Sequence, residues 1–591
     1  MEKRLILTIV LCMLIAIASS SFFRTAEQSP KPKPPTQSPV PITLSSAPTA
    51  STDGKAPGPG TVAEPPGGEK VASEIPPSFP PKEVKLEDEY LELTFSSLGA
   101  SLTTAVLLQH LEHDPAGKLR REEWPRLRLI APDLESGAAL TLRLQDWPLA
   151  LDKVHWNVVE SSARAVRFSY PLAGGRTNIE KVVRLTDNPY LLDVEIVFSG
   201  APWTQVATDV RAIFLGPDRI RADNSRAPNQ RVTGYANSAW EYAQVERKTL
   251  KPIVTLTNTD ANRPLWTGLE SNFFAFVIRP KTQDPTRPWD GFEYAPPPRV
   301  GIDVAEFERL SKQVQPYQLG FLRSVRVGET AAFEVFLGPK DRTLLKSYAG
   351  SHYDDLIDYG YFGWLVRTFL ALLSFFKSIS FSYGIAIILL TVLVKLLLHP
   401  INKKNQSMMQ RQQKKMAKIQ PQMQELRQRH KNDSMKANRE IQQLMREQGV
   451  NPAQMLGGCL LIFLQLPIWI GLINTFSLAI ELRLVPFLWI DDLTRPDELF
   501  QLPFTIPFLG SAFNLLPVLY VAVTVINQNM MPKSPDPNMQ QQQNLMKYML
   551  VAFGFIFYSF PAGLLLYFLT SSALGILEQK IIKLELAREG A

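Results

Sequence analysis

Hydrophobic and polar positions fall into three regimes along the chain. At the amino end, Met1-Glu2-Lys3-Arg4 precedes an uncharged run over 5–23. A basic start before an apolar stretch reads as a cleaved signal peptide, with Ala16-Ile17-Ala18 as the cleavage box, or as a retained anchor. Continuation of the run to Phe23 favours the anchor, 1–23, and either reading exports the chain beyond it. Residues 24–82 are rich in Pro, Ser, Thr, Ala and Gly and cannot bury enough apolar surface to fold. They read as an extended tether, partly polyproline II.

Over 83–352 apolar and polar residues alternate with period two. Examples are Tyr90–Phe95, Ala165–Tyr170, Glu180–Leu185, Leu191–Phe198, Phe273–Ile278 and Ala332–Leu337. Gly174-Gly175, Asn188-Pro189 and Gly338-Pro339 punctuate them as turns. Many strands between turn signals predict a large antiparallel β-sandwich with its own core. His110 and His113 stand three or four residues from acids, and a surface helix or loop accounts for them.

From 353 the period changes to that of helices. Tyr359, Tyr361, Phe362, Trp364, Phe369, Phe375 and Phe376 give 353–378 the character of an amphipathic helix in the membrane interface. The run 379–398 is long enough to span a bilayer and closes at His399-Pro400. The segment 399–452 is polar and basic, with Lys403, Lys404, Arg411, Lys414, Lys415, Lys418, Arg427 and Arg429 prominent, so it is expected in the cytoplasm. Met416, Ile419, Met423 and Leu426 step by three and four, and Asn432-Asp433-Ser434 breaks the pattern. Met435, Ile441, Leu444 and Gln448 then supply a second apolar face, which predicts a helical hairpin.

Further spans are expected at 455–478, 504–526, 548–560 and 564–582. The last two are split by Phe560-Pro561-Ala562-Gly563, since Pro and Gly together mark a turn. An acidic external loop, 479–503, a Met/Gln/Asn-rich cytoplasmic loop, 527–547, and a short tail, 583–591, complete the chain. The predicted fold class is a polytopic α-helical membrane protein of six spans, an anchor plus a five-helix core, with an exported β-sandwich and a cytoplasmic helical hairpin.

Composition narrows the chemistry. The formal net charge of +7 is concentrated in the basic segment. The only cysteines, Cys12 and Cys459, both lie in apolar runs, which excludes a disulfide framework and a cysteine zinc site. Six histidines are scattered without an HExxH pattern, and no metal, cofactor or catalytic constellation is expected. The informative residue is Lys395. A lysine facing lipid at a helix centre costs roughly 2.5–3.5 kcal/mol, so such residues usually face a bundle interior or water. Snorkelling to the headgroups is the alternative. Thr391 lies one turn away, and Gln465, Asn474, Asn514, Tyr567 and Ser571 stand on other spans. A lysine with this company points to a wet groove.

Several local motifs together resemble the YidC/Oxa/Alb family of membrane protein insertases. They are Trp266–Phe274, Phe336–Lys340, Asp358–Gly360, Lys395–Pro400, Val450–Pro452, Leu456–Cys459, Gln465–Pro467, Glu481–Arg483, Pro486-Phe487, Trp489-Ile490, Phe560–Gly563 and Leu566-Tyr567. The resemblance implies an inner-membrane protein with a periplasmic sandwich and a five-helix core. It implies a hydrophilic groove open to cytoplasm and lipid but closed outside. The family's groove cation, commonly arginine, falls on Lys395, which keeps the charge without the planar fork. Its groove threonine and tyrosine fall on Thr391 and Tyr567, and a second aromatic, often tyrosine, is Phe568.

The resemblance further implies a non-enzymatic insertase acting on nascent membrane proteins, with the Sec translocon and its accessory subunits, the ribosome and membrane lipids as partners, and no DNA. With a short tail, ribosome contact would rest on the basic hairpin. Lys395 is expected to attract acidic residues of a client while Thr391, Gln465 and Ser571 replace water, lowering the desolvation cost. Other classes that fit an intramembrane lysine or an exported sandwich are a secondary transporter or channel, and a membrane-anchored binding domain or enzyme.

Overall fold

The computed structural model describes residues 77–112, 123–131, 138–144, 150–172, 175–201, 210–217, 220, 231–236, 239–243, 254–257, 264–281, 291–295, 318–348, 350–430, 433–448, 457–506, 510–530, 544–545, 548, 554 and 556–588. The anchor 1–23 and most of the tether lie outside the described residues, as do His113, most of the loop 527–547, and 549–553 and 555 of the span expected at 548–560.

The period-two runs are strands. Ala165–Leu172, AVRFSYPL, buries every second residue, and Leu191–Gly200 does the same over most of its length. Among the described residues the largest sheet has nine strands. Edge to edge they are Ala239–Ala243, Arg231–Ala236, Pro264–Glu270, Phe274–Pro280, Thr330–Pro339, Leu191–Gly200, Thr177–Leu185, Ala165–Leu172 and Asn157–Ser161. Each neighbouring pair is antiparallel. A four-stranded sheet opens the domain with Glu83–Glu87, and a five-stranded one includes Val210–Leu215 and Gln318–Val325. Residues of all three sheets, among them Phe95, Phe168, Phe198 and Phe214, bury into one apolar core. Full burial of each such side chain is worth roughly 1.5–3 kcal/mol.

Two expectations within this domain differ from what is found. His110 lies in a strand, Ser101–Leu111, not on a surface helix or loop. Gly338-Pro339 is not a turn but the end of strand Thr330–Pro339, paired with Ala275 and Phe274. The glycine answers a packing demand: a Cβ at 338 would lie 2.8 Å from both Cβ and Cγ of Tyr190. One lysine, Lys181, is fully buried and donates to the carbonyls of Ala100 and Leu140. Both acceptors have positive φ, 47° and 60°, so the amine ties down two irregular turns. Burial lowers its pKa to about 7.

A short helix α1, Arg342–Ser347, capped by Asp341, leads out of the sheets. Helix α2, Gly363–Ser380, comes next and ends at Phe381 in the left-handed region, φ 58°. Its start at Gly363 is ten residues later than expected from the aromatic pattern, because 353–356 forms a separate 3-10 turn. Val366, Phe369 and Leu373 are its buried stripe, while Trp364, Phe375 and Ile379 stay exposed.

Helix α3 runs without interruption over Tyr383–Arg429, with Pro400 and Pro421 inside it. The expected stop at His399-Pro400 does not occur, although a proline costs about 3 kcal/mol in a helix interior. Contacts on both sides of Pro400 hold α3 against a helix near the carboxyl end. Asp433 caps the next helix, α4, Ser434–Glu447. Met416, Ile419 and Met423 of α3 meet Ile441 of α4, with Leu426, Leu444 and Met445 packed alongside. Met435, expected in this seam, is exposed, and Ala437 is buried in the same helix.

Helix α5 covers Gly457–Leu478. The apolar stretch expected to span from 504 instead begins as a strand pair, Phe500–Ile506 with Gly510–Phe513. Pro503 and Pro507 disfavour a helix there, and α6 starts at Leu515 and ends at Met530. Helix α7 runs from Ala562 to Arg588, beyond the expected end at 582. Among the described residues two helical stretches, Tyr383–Met408 and Ala562–Ile582, are long and apolar enough to cross a membrane.

The β domain and the helices share residues at their junction. Val366 of α2 belongs to the β-domain core, and Phe369 and Leu373 to the helical core. The segment after α5 divides the same way, with Ile480 in the first core and Leu482 in the second. Arg483 then places its guanidinium 5.1 Å over the Phe274 ring of the β domain. His110 meets that ring edge-on at 5.4 Å. Burial, and secondarily Arg483, lower its pKa to about 4.

Candidate functional site

Lys395 lies twelve residues into α3, about 18 Å from the Tyr383 end at 1.5 Å per residue. Its amine is directed at α7. The Nζ is 3.5 Å from Oε2 of Glu578, and a Cβ at Gly575 would lie 3.6 Å from it. The same hypothetical Cβ would lie 3.4 Å from Nδ2 of Asn527, so α3, α6 and α7 meet at Gly575. The lysine side chain is 25% exposed and its partner carboxylate 14%.

Glu578 gathers more than the lysine. Its Oε1 is 3.3 Å from Nδ1 of His399 and accepts from Nδ2 of Asn402 at 2.9 Å. Two turns on, Lys403 pairs with Glu585 at 2.9 Å. These ionic rungs straddle Pro400 and join α3 to α7 on both sides of it. One residue further along α7, Gln579 donates to Asn527 of α6 at 2.6 Å.

The other expected groove residues divide into inner and outer sets. Thr391 is fully buried one turn before Lys395, and its hydroxyl donates to the Ile387 carbonyl at 2.7 Å. Tyr567 is buried in the helical core. Gln465 and Ser571 are half-buried. Asn474 is at the opposite end, donating to the Tyr359 carbonyl at 3.4 Å. Asn514 precedes α6, accepts from the Glu498 amide at 3.1 Å and donates to the Tyr558 carbonyl at 2.7 Å. These two asparagines tie helix ends to flanking turns and do not join the Lys395 cluster.

At the start of α7 backbone bonds tie the helix to the loop before α6. The amides of Ala562 and Gly563, at the start of α7, donate to the carbonyls of Arg495 and Leu493 at 2.7 and 2.8 Å. Asp497 accepts from the Leu515 and Leu516 amides, capping α6, and from the Trp489 indole at 3.1 Å. The loop 479–499 is thereby fastened over α6 and α7.

On the basic hairpin, Lys404, Arg411, Lys415, Lys418 and Arg429 are exposed, and Arg429 pairs with Glu425. Lys403 is committed to Glu585, and Arg427 is half-buried. Arg411, Lys414, Lys415 and Lys418 recur at three- and four-residue spacing, which sets their positions along one side of α3.

Glu578, His399, Asn402, Asn527 and Gln579 were not among the expected site residues. A signal for Glu578 was available. Lys395 and Lys403 are eight apart on one helix, while Glu578 and Glu585 are seven apart on another, so opposite charges recur at matched helical spacing.

Two family models match the chain in succession. "YidC periplasmic domain" matches residues 83–372, and "60Kd inner membrane protein" matches 375–589. Curated relatives named "Membrane protein insertase YidC" are similar over much of the length. The protein from Syntrophobacter fumaroxidans is 29% identical over 516 residues, 84% of this chain and 85% of that one. That from Syntrophus aciditrophicus is 30% identical over 410 residues, 69% of this chain and 67% of its own. Over a shorter stretch, 44% of each chain, the Geobacter sp. M21 protein is 36% identical. A solved galactose mutarotase-like protein from Lactobacillus casei covers 44% of this chain at 10% identity, with a TM-score of 0.27.

Proposed function

The chain belongs to the YidC family of membrane protein insertases, and from that premise we propose that the Lys395 cluster is where it receives the polar part of a client. As a family member it is a non-enzymatic inner-membrane insertase with a large antiparallel periplasmic β domain, a helical membrane core and nascent membrane proteins as substrates. The finer reading is ours. Six spans, an anchor and a five-helix core, enclose a hydrophilic groove open to the cytoplasm and to lipid. Lys395, Thr391, Gln465, Tyr567 and Ser571 line it, while Asn474 and Asn514 hold its outer end shut.

The observation that carries this reading is the amine of Lys395, held about 18 Å along α3 and turned toward Glu578 of α7. A charge held there makes the inner half of the membrane locally polar. A client's hydrophilic segment then finds hydrogen-bonding groups in place of hydrocarbon, which lowers its desolvation cost. Thr391 is fully buried and spends its donor on Ile387, so it would offer a client only lone pairs, and only once the client parts the helices. The adjoining apolar segment leaves sideways, driven by its own transfer free energy. The exposed basic stripe of α3 is the contact for the ribosome and anionic headgroups, and the Sec translocon is a further partner.

The test is photocrosslinking of a stalled nascent chain from probes at Gln465 and Ser571, with exposed Leu397 and Leu584 as controls. Adducts are expected from the first pair during insertion of the polar segment. Adducts from the controls alone would remove the groove.

A further inference from the structure

Glu578 raises a question that the groove reading leaves open. An insertase that attracts client carboxylates with Lys395 already holds a carboxylate against that lysine. Three side chains of α3, Lys395, His399 and Asn402, converge on this carboxylate of α7. Resting on the groove reading, we propose that Glu578 is a resident counter-ion, a built-in stand-in for a client carboxylate, so that acidic client residues bind Lys395 by exchange and are released by its return.

The geometry fits a handover. A tight charge-assisted bond between an ammonium and a carboxylate is about 2.7–2.9 Å long. The Lys395–Glu578 separation is 3.5 Å, whereas Glu578 accepts from Asn402 at 2.9 Å and lies 3.3 Å from His399. The carboxylate is thus held most closely by groups other than the lysine. When a client acid takes the ammonium, Glu578 keeps Asn402 and His399 as partners and is not left buried and unpaired, the outcome that makes breaking such pairs costly. Before a client arrives, the pair also spares Lys395 from standing as a lone charge among apolar helices.

Specificity comes from exchange. A neutral polar segment need not displace Glu578. An acidic one must compete with it, and its dwell time is limited by that competition. A basic segment is repelled by Lys395 unless the two charges are traded.

The test uses the full-length protein in proteoliposomes and single-span clients carrying aspartate, asparagine or lysine at matched tail positions. The readouts are adduct yield from a probe at Ser571 and the inserted fraction. Glu578→Gln is expected to raise the adduct yield of aspartate tails several-fold and to leave asparagine tails within about twofold. The exchanged pair, Lys395→Glu with Glu578→Lys, is expected to favour lysine tails over aspartate tails in adduct yield. Equal effects of Glu578→Gln on aspartate and asparagine tails would overturn the proposal. So would an exchanged pair that still favours aspartate. Adducts indifferent to residue 578 strike the counter-ion alone, whereas no adduct from Ser571 in the unaltered protein with any tail strikes the groove itself.

Discussion

The guanidinium of Arg483 rests 5.1 Å over the ring of Phe274, joining the loop after α5 to the edge of the periplasmic domain. His110 packs edge-on against the same ring, and its pKa is lowered to about 4 by burial first and by Arg483 second. The unfolded chain binds that proton near the ordinary value of 6.5. Between the two values the unfolded state holds more protons, so the junction's stability is full above about pH 6.5 and is lost as pH falls through about 4. At about 1.36 kcal/mol per unit the difference amounts to roughly 3 kcal/mol. Thermal unfolding of the full chain is expected to weaken across this window, and His110→Gln to flatten the dependence. A slope unchanged by that substitution would count against the assignment.

Arg483 carries a second expectation. Arg483→Met removes a cation–π contact worth about 0.5–2 kcal/mol and one of the two causes acting on His110. The acid limb of the unfolding profile should move to higher pH without reaching 6.5, because burial remains the larger cause. Limited proteolysis at neutral pH should cut the junction faster in this variant. An acid limb that stays in place or moves down would break the link between the two residues.

The motifs Trp266–Phe274 and Phe336–Lys340 are brought together by a buried ion pair. Lys340 donates to Glu270 at 2.7 Å, with side chains only 5% and 2% exposed, and also to the Ser271 carbonyl at 3.3 Å. Removing one member of a buried pair typically costs about 3–5 kcal/mol, because the other is left charged and alone. Lys340→Met is therefore expected to destabilise the periplasmic domain by roughly that amount. The double change Glu270→Leu with Lys340→Met should recover most of it. Denaturant unfolding of these two variants and of Glu270→Leu alone measures the coupling, and additive losses would exclude it.

How much of this was legible in the sequence depends on how far apart the deciding residues lie. Alternation in Ala165–Leu172 and Leu191–Gly200 marked strands, since a half-buried sheet imposes period two locally. The order of nine strands was not legible, because it is set by pairings such as Leu191 with Phe336 across a long sequence separation. Pro400 reads as a stop because the local rule is strong. The helix nonetheless continues, and the contacts on either side of the proline, Lys395–Glu578 and Lys403–Glu585, come from another helix that the local rule does not see. Asn474 and Asn514 look like groove residues because a polar side chain in an apolar run has two uses, lining a wet site or tying a helix end to a turn. Only tertiary partners tell these apart. Glu578 does not stand out because one acid scarcely dents the hydropathy of α7.

Gly338 offers a test of packing alone. It lies inside a strand with Tyr190 against it, so Gly338→Ala forces the tyrosine or the strand to move. Overpacking of this kind costs about 1–3 kcal/mol. A drop in the melting temperature of the full chain is expected, with the insertion of clients retained at lower temperature. Unchanged melting would mean that the sheet yields at no cost.

The basic stripe of α3 is the remaining handle on function. Arg411, Lys414, Lys415 and Lys418 share a side of a helix whose apolar seam, Met416, Ile419 and Met423, is occupied by α4. Changing all four to glutamine leaves that seam intact, so the hairpin should keep its helicity. Binding driven by such charges weakens steeply with salt, with a slope near −0.7 to −0.9 per phosphate neutralised on nucleic acid. For ribosomes, the unaltered protein should bind tightly at low salt with a steep salt dependence. The quadruple variant should bind more weakly and with a flatter one. Anionic vesicles without ribosomes provide the second arm, where each basic residue near the surface is worth about 1 kcal/mol. Loss in the vesicle arm alone would assign the stripe to headgroups, and an unchanged salt slope in both arms would leave it a solvated face that serves topology only.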